Sequence, residues 1–499
     1  MELKFEKTAC RCLRRIASEV LNLEQTQELR LPDGLPDIGR VLCAWGQVIL
    51  RSKEWRNDGM SASGGIMVWV LYAPDDGSQA QCVNTWLPVQ AKWSFPETER
   101  EGVIRLVPLL RSVDARTVSA RKMMVRAGVG ILGEALEPWE TEICIPGELP
   151  EGVEILRQTY PMKLPKEAGE KTFLLDEELT LPASCPAVEK ILRFEMLPQL
   201  QEQKVMSGKL VFRGGGLLHV LYRGENGELA GWDFEIPFSQ FGELEGEFGP
   251  DASARTSIAV TSLELELTDE GALRLKCGLV AQYIVTDMVM LEVAEDAYCP
   301  NREVVPVFQE LALPAVLDER NETFTGEMPL EIECSRAVDV SFLPEHPRMN
   351  RLGDQLSSEL TGMFQLLYED AAGVLQSTTR RWEQAWSYAA DGNSSAVLEA
   401  APMGQPVAVA GGGGVTLKGN MTLTMETGSD RGLTVLAGMN VGEARQPDQN
   451  RPSLILRRAE GERLWDLAKC CGTTVEAIRQ ANQLQTEPVE GQMLLIPVP

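Results

Sequence analysis

A repeat with a period of about 150 residues is the feature that most constrains this 499-residue chain. The sequence Leu-Arg-Leu-Pro-Asp-Gly-Leu-Pro at residues 29–36 returns as Leu-Thr-Leu-Pro-Ala-Ser-Cys-Pro at residues 179–186. The tripeptide Val-Leu-Tyr at residues 70–72 returns at residues 220–222, and a Leu-Leu-Tyr stands at residues 366–368. Two landmarks at one spacing indicate a duplicated unit, and the third tripeptide indicates a further, more divergent copy. A chain of this length is expected to form three or four domains.

The residues between these landmarks have the pattern of β-strands. Apolar and polar residues alternate across residues 257–268, and the dipeptides Asp-Gly and Asn-Gly at residues 76–77 and 226–227 separate such runs. Alternation is typical of half-buried strands, and these dipeptides are typical of hairpin turns. Residues 9–21 are an exception, because they are compatible with a short helix or a lead-in. We therefore predict a mainly β protein with three tandem sandwich- or barrel-like domains, at residues 1–150, 151–300 and, in the divergent copy, 301–441.

The carboxyl-terminal part of the chain has a different period. Residues 442–452 are polar and bounded by proline, which is typical of a linker. After a short strand at residues 454–456, apolar residues at the i, i+3, i+4 and i+7 positions of one helix face follow, namely Leu464, Leu467, Ala468 and Cys471. Thr473 and Glu476 have the spacing of a capping box that starts a second helix, which should end near Asn482. Residues 493–497 form a second strand, so residues 453–499 are predicted to have the order β-α-α-β.

This segment resembles the LysM module in both of its loops and both of its strands. The resemblance rests on Gly-Glu-Arg-Leu at residues 461–464, Gly-Thr-Thr-Val at residues 472–475, Ala481-Asn482, and the run at residues 491–497. In that family a glycan-binding groove lies between the loop after the first strand and the loop before the second. The resemblance implies that the groove positions here are Gly461, Glu462, Arg463, Leu464, Trp465, Leu484, Gln485 and Glu487. The family usually has Gly-Asp-Thr-Leu in the first loop, and the change to Arg463 replaces a small hydroxyl that the groove commonly uses.

The repeats resemble the SPOCS domain of clostridial SipL-like sporulation proteins, through Leu-Pro-Asp-Gly-Leu-Pro-Asp-Ile at residues 31–38 and the Val-Leu-Tyr strand. That family places SPOCS domains ahead of one carboxyl-terminal LysM module, which is the order predicted here. The resemblance implies a spore coat morphogenesis protein in the mother-cell cytosol, at the forespore surface. It also implies that the LysM module holds the coat basement ATPase, stage IV sporulation protein A, in place of a wall glycan. On this reading the β domains recruit or space other coat proteins.

The composition argues against several other classes of function. The formal net charge of -26, from 73 acidic and 47 basic residues, argues against nucleic acid or an anionic membrane as the main partner. No apolar run is long enough for a transmembrane helix, and the first residues lack the apolar stretch of a secretory signal. The eleven cysteines include no Cys-x-x-Cys pair, which indicates a reducing compartment without a disulfide framework. These observations predict a cytoplasmic protein.

Catalytic and cofactor motifs are weak in this sequence. Only two histidines occur, so histidine-based zinc sites and Ser-His-Asp catalysis are not expected, and His219 is interpreted as a strand residue. The pattern G-x-G-x-x-G at residues 128–133 lacks the helix and the later acidic residue of a dinucleotide site. We therefore predict a non-enzymatic scaffold with no catalytic residue, cofactor or metal. The alternative is a cell-wall protein that binds peptidoglycan through N-acetylglucosamine, and a glycan hydrolase that uses paired carboxylates is a third possibility.

Two further features bear on where partners bind. Five tryptophans, Trp45, Trp55, Trp69, Trp86 and Trp93, crowd into the first repeat, where they form either a β core or a partner-binding face. Trp465 either covers the small core of the module or contributes to its binding edge. The acidic excess lies between residues 151 and 450, which suggests that the two middle domains act as a self-repelling spacer between two binding ends.

Overall fold

The protein is mainly β, as the sequence predicts, and its strands pair in antiparallel sheets. The structure is a computed structural model that describes residues 2–3, 5–145, 147, 151–411, 413–444 and 452–498. No helix in those ranges is long and apolar enough to cross a membrane.

One strand order occurs three times along the chain, in units that we number 1 to 3. Unit 1 consists of β2 (Glu6–Arg30), β3 (Ile38–Arg56), β4 (Gly59–Pro74), β5 (Gln81–Ser94), β6 (Val103–Ser119) and β7 (Lys122–Ile145). Unit 2 consists of β8 (Glu154–Leu179), β9 (Val188–Met206), β10 (Lys209–Gly224), β11 (Leu229–Glu243), β12 (Ser253–Leu267) and β13 (Leu273–Tyr298). Unit 3 consists of β14 (Arg302–Leu330), β15 (Arg336–Pro344), β16 (Met349–Leu352), β17 (Gln355–Glu369), β18 (Leu375–Ala389), β19 (Ser395–Gly411) and β20 (Gly414–Ala444), and β1 (Glu2–Leu3) pairs with β20.

Each unit contains two antiparallel sheets that face each other across a hydrophobic core. In unit 1 the sheets are β3-β4-β5 and β2-β7-β6, and in unit 2 they are β9-β10-β11 and β8-β13-β12. Unit 3 has the same arrangement, except that two short strands, β15 and β16, replace the single long second strand. The first and last strands of every unit extend past the other strands as a two-stranded ribbon. The three ribbons pack against one another around a shared apolar cluster that includes Cys10, Met162, Leu291, Leu311 and Leu433.

The three residues of the repeated tripeptide make two different kinds of contact. Successive strand residues point to opposite faces of a sheet. In unit 1, Val70 and Tyr72 therefore face the core of their own unit, while Leu71 points away from it. The equivalent leucines of the other units, Leu221 and Leu367, join Leu71 in one buried cluster between the units. The central leucine of the repeat is thus an interface residue.

The three units close into a ring with a pseudo-threefold relation. A basic residue near the start of the second strand of each unit reaches another unit, at the strand that follows the repeated tripeptide there (β5, β11 or β18). Arg336 of unit 3 donates to the Leu229 carbonyl of unit 2 at 2.9 Å, and Lys190 of unit 2 lies 3.5 Å from the Gln81 side-chain oxygen of unit 1. Arg40 of unit 1 donates to the Leu375 carbonyl of unit 3 at 2.7 Å. Because the third contact returns to unit 1, the arrangement is cyclic.

This ring differs from three expectations drawn from the sequence. Residues 9–21 belong to β2, because Cys10, Cys12 and Leu13 bury their side chains while β2 pairs along β7. Trp45 and Trp69 do form a contact face, but the residues that they meet belong to units 2 and 3 of the same chain, with the Trp69 and Phe194 rings 5.0 Å apart. The acidic units 2 and 3 are not a spacer, because both pack directly against unit 1.

A buried cluster of three arginines and three glutamates lies where the three units meet. Its members are Arg15, Arg105 and Glu134 of unit 1, Arg255 of unit 2, and Glu399 and Glu426 of unit 3. Arg255 lies 2.7 Å from Glu134 and 3.2 Å from Glu426, and Arg105 lies 2.6 Å from Glu399. Burial by itself would raise the pKa of Glu134, but Arg255, Arg15 and Arg105 hold that pKa well below its usual range. We call these six residues the ion cluster.

A second polar group marks positions that are equivalent in the three units. Cys43, Arg193 and Asp339 each pair across the sheet with the repeated leucine of their own unit. Arg193 donates to Asp339 at 3.3 Å. The Nε2 atom of His219 lies 2.8 Å from Asp339, and its Nδ1 atom lies 2.6 Å from Asp233. Equivalent positions thus hold complementary residues, which favours one order of the units around the ring.

We expect Arg255→Met to lower the free energy of unfolding by about 3–5 kcal/mol, because it leaves buried carboxylates without their cation. The measurement is the midpoint of urea denaturation. Arg116→Met is the matched control, since Arg116 and its partner Asp114 are both exposed, and a change below about 1 kcal/mol is expected there. Equal effects of the two substitutions would contradict the structural role of the ion cluster.

His219 should make stability depend on pH above neutrality. Burial alone would lower its pKa, but Asp339 and Asp233 outweigh burial and raise the pKa from 6.5 to about 9. Because the folded-state pKa is the higher one, the stabilisation is complete below about pH 6.5 and is lost as pH rises through about 9. The shift corresponds to about 3 kcal/mol.

The measurement is the urea midpoint at several pH values between 6.5 and 9.5, for the wild type and His219→Gln. The wild type should lose stability across this window, and His219→Gln should lose much less. His346→Gln is the control, because burial lowers the pKa of His346 and places its titration below the window. A wild-type midpoint that does not change over this range would show that His219 is not the charged partner of Asp339.

Candidate partner-binding site

The carboxyl-terminal module has the order β-α-α-β that the sequence predicts. It consists of β21 (Leu454–Arg458), α1 (Leu464–Cys471), α2 (Val475–Asn482) and β22 (Met493–Pro497), and β21 and β22 pair antiparallel. The two helices pack on one face of this sheet, around Leu464, Leu467, Ile478, Leu494 and Ile496. Of the predicted linker, residues 442–444 end β20 and residues 445–451 lie outside the described residues.

The capping box predicted for α2 is wrong by one residue. The N-cap is Thr474, whose hydroxyl accepts a hydrogen bond from the Ala477 amide at 3.1 Å. Glu476 accepts a hydrogen bond from Gln480 instead of reaching back to the cap. Thr473 is buried, and its carbonyl accepts a hydrogen bond from the Tyr298 hydroxyl of unit 2. Thr473, which the local pattern favoured as the N-cap, therefore makes a contact with a distant part of the chain instead.

The two loops of the predicted groove are tied to each other. The backbone amide of Leu464, at the start of α1, donates to the Glu487 carboxylate at 2.7 Å. A carboxylate is favourable at this end of a helix, where backbone amides lack partners within the helix. Gly461 forms the preceding turn with φ +91°. Leu484 packs partly into the module core, while Gln485 is exposed.

The remaining groove residues are also engaged. The Glu462 carboxylate accepts a hydrogen bond from the Glu460 amide and lies 2.9 Å from the Arg457 guanidinium. Backbone amides, together with Arg457, lower the pKa of Glu462. Arg463 is exposed, donates to Asp466 at 3.1 Å and lies 3.9 Å from Glu295 of unit 2. Of the eight predicted positions, Gly461, Arg463, Gln485 and Glu487 are solvent-exposed.

Trp465 fastens the module to the ribbon of unit 2. Its indole N–H donates to Asp296 at 2.9 Å, and its ring meets the Tyr298 ring edge-on at 4.7 Å. Lys469, one turn further along α1, donates to the same Asp296 carboxylate at 2.7 Å. Trp465 therefore contributes both to the module core and to a contact within the chain. Sequence analysis missed Asp296 and Tyr298, since they lie about 170 residues earlier and no local pattern marks them.

We predict that Asp296→Asn with Tyr298→Phe releases the module from unit 2. The two substitutions remove the carboxylate charge that binds Lys469 and the hydroxyl that donates to the Thr473 carbonyl. Hydrogen bonds to charged groups contribute about 1.5–3 kcal/mol each. Amide hydrogen exchange across α1 should become at least tenfold faster in the double variant, as followed by mass spectrometry. Glu292→Gln is the control, because Glu292 is exposed on the same strand and should leave α1 unchanged. Unchanged exchange in the double variant would show that other contacts hold the module.

A cavity with a volume of about 710 Å³ lies between the three units. Glu195 and Glu399 both line this cavity, which makes them candidates for the paired carboxylates of a hydrolase. Glu399, however, belongs to the ion cluster and contacts Arg105 and Arg255. Burial raises the pKa of Glu195. In the described ranges, no group of three or more histidine, cysteine or acidic side chains is arranged to hold a metal ion.

Residues 187–268 match the family model for the SipL SPOCS domain. The matched segment runs from the start of β9 to the end of β12, so it lies within unit 2 and includes the repeated Val-Leu-Tyr. This match supports a SipL-like family for the chain. Searches of curated proteins and of solved structures find no match. The SPOCS assignment of units 1 and 3, their boundaries, and the LysM assignment of the module stay predictions.

Proposed function

We propose that the protein is a non-enzymatic sporulation scaffold. In this proposal its LysM-like module binds the coat basement ATPase, stage IV sporulation protein A, at the forespore surface, and its β units recruit other coat proteins. The observation that carries the proposal is the match of unit 2 to the SipL SPOCS domain, in a chain that ends in a β-α-α-β module. The order of repeats and module agrees with that of SipL-like proteins.

The interior of the ring supports a scaffold over an enzyme. Residues with strongly shifted pKa values are candidates for catalysis, because active sites are where such shifts are arranged. Here Glu134, Arg255 and Asp339 have shifted pKa values and are buried, and each pairs with a charge from another unit. Their pKa shifts come from ion pairs that join the units, so these charges have a structural role.

The fixed position of the module supports a binding role. Trp465, Lys469 and Thr473 all contact unit 2, so the module is held in one orientation relative to the ring. A scaffold that presents a binding module rigidly loses less conformational entropy on binding than one with a free tether. The module and the units are therefore expected to act as one body at the forespore surface.

The test measures binding of the full chain to the purified ATPase and to purified peptidoglycan. We expect saturable binding of the ATPase with a Kd of about 1 μM or below, and no sedimentation with peptidoglycan. A chain that ends at residue 444 should lose ATPase binding. Arg463→Ala and Gln485→Ala are better probes of the groove than substitutions of Trp465, because Trp465 also holds the module on unit 2.

Two outcomes would contradict the proposal. Sedimentation with peptidoglycan without ATPase binding would favour the alternative of a protein that binds cell-wall glycan. Equal ATPase binding with and without the module would place the contact on the β units.

A further inference from the structure

Two surfaces of the module already carry contacts within the chain, and a third does not. The α1 surface, with Trp465 and Lys469, lies against unit 2. The groove between the loops is bridged by Glu487 and the Leu464 amide. The third surface is the outer face of the β21–β22 sheet, on the side away from the two helices.

This outer face is apolar. Cross-strand pairing aligns Leu454 with Pro497, Leu456 with Leu495, and Arg458 with Met493. The intervening residues Ile455, Leu494 and Ile496 point to the helices. The outward side chains are solvent-exposed, at 53% for Leu454, 63% for Leu456, 53% for Met493 and 39% for Leu495.

An antiparallel sheet with one solvated face normally carries polar residues on that face. Here both faces of the two strands are apolar apart from Arg457 and Arg458. Contiguous apolar surface on a soluble protein marks an interaction site. We name Leu454, Leu456, Arg458, Met493, Leu495 and Pro497 the outer sheet face.

Arg458 is the single charged residue of the outer sheet face. It is exposed, and in the described part of the chain it makes no ion pair or side-chain hydrogen bond. Its neighbour Arg457 points to the other side and lies 2.9 Å from Glu462. The outer sheet face therefore offers apolar area with one unpaired positive charge at its edge, and none of its six residues is acidic.

We propose that the outer sheet face is the surface that docks the partner of the module. Its occupant is an amphipathic segment with an apolar stripe, which covers Leu456 and Leu495, and a carboxylate that pairs with Arg458. This inference rests on the proposed function, since it names the surface through which the module binds. It differs from the groove binding that the resemblance to LysM implies.

The test compares full-length variants in the ATPase binding assay. We expect Leu456→Asp with Leu495→Asp to weaken binding at least about 30-fold, which is the loss typical of interface hot spots. Arg458→Glu should weaken binding about tenfold, and Arg458→Lys should retain most of it, because the first change reverses the charge that the partner meets. Thermal unfolding followed by circular dichroism checks that each variant is folded.

Two controls give the experiment its specificity. Leu174→Asp introduces the same change at a residue of β8 that is 59% exposed, and it should bind like the wild type. Gln480→Ala, at an exposed position of α2, should also bind like the wild type. If the wild type binds and the outer-face variants bind equally well, the outer sheet face is not the docking surface. Loss of binding in Gln485→Ala with unaffected outer-face variants would place the partner in the groove instead. A wild type that does not bind the ATPase would overturn the proposed function together with this inference.

Discussion

The ion cluster is the interaction on which the rest of the structure depends. Unit 1 contributes two arginines and one glutamate, unit 2 one arginine, and unit 3 two glutamates. The charges balance only when all three units are present. Burying an unpaired charge is costly, so no unit can hold its share of the ion cluster without the others. The assembled ring is therefore the arrangement in which these charges are both buried and paired.

Duplication followed by divergence explains why the three units take one order around the ring. A ring of three identical units would use the same residue at each equivalent position. Here Cys43, Arg193 and Asp339 occupy one such position, and Arg193 contacts Asp339. His219 adds a further contact to Asp339, from a position that holds Trp69 in unit 1. Complementary residues at matched positions stabilise the correct neighbours and disfavour a unit in the wrong place.

The placement of the module follows from the same geometry. The ribbons extend past the sheets, so the end of β13 is available to bind another part of the chain. Tyr298 and Asp296 at this end receive Trp465 and Lys469, which orients the module. The docked helix surface is then unavailable to a partner, and the outer sheet face points away from the helices. The position of two residues at the end of one strand thus determines which surface the module presents.

The mainly β class, the repeat and the strand–helix order of the module were predictable from the sequence, because each depends on residues close together in the chain. Alternation over a few residues indicates a strand, and the i, i+3, i+4 spacing indicates a helix. The candidate site was predictable only as a set of loop positions. The bridge from Glu487 to Leu464 and the docking of Trp465 needed the three-dimensional structure, as did the shift of the cap from Thr473 to Thr474.

The sequence by itself determined that the chain has repeated β units and a small β-α-α-β module, since periodicity and turn residues act locally. Only the tertiary structure decided that the units close into a ring, that Trp45 and Trp69 face other units, and that acidic units 2 and 3 pack against unit 1. These outcomes depend on side chains that are more than 100 residues apart in the chain. Their pairing is set by burial and charge balance in three dimensions, which no local pattern records.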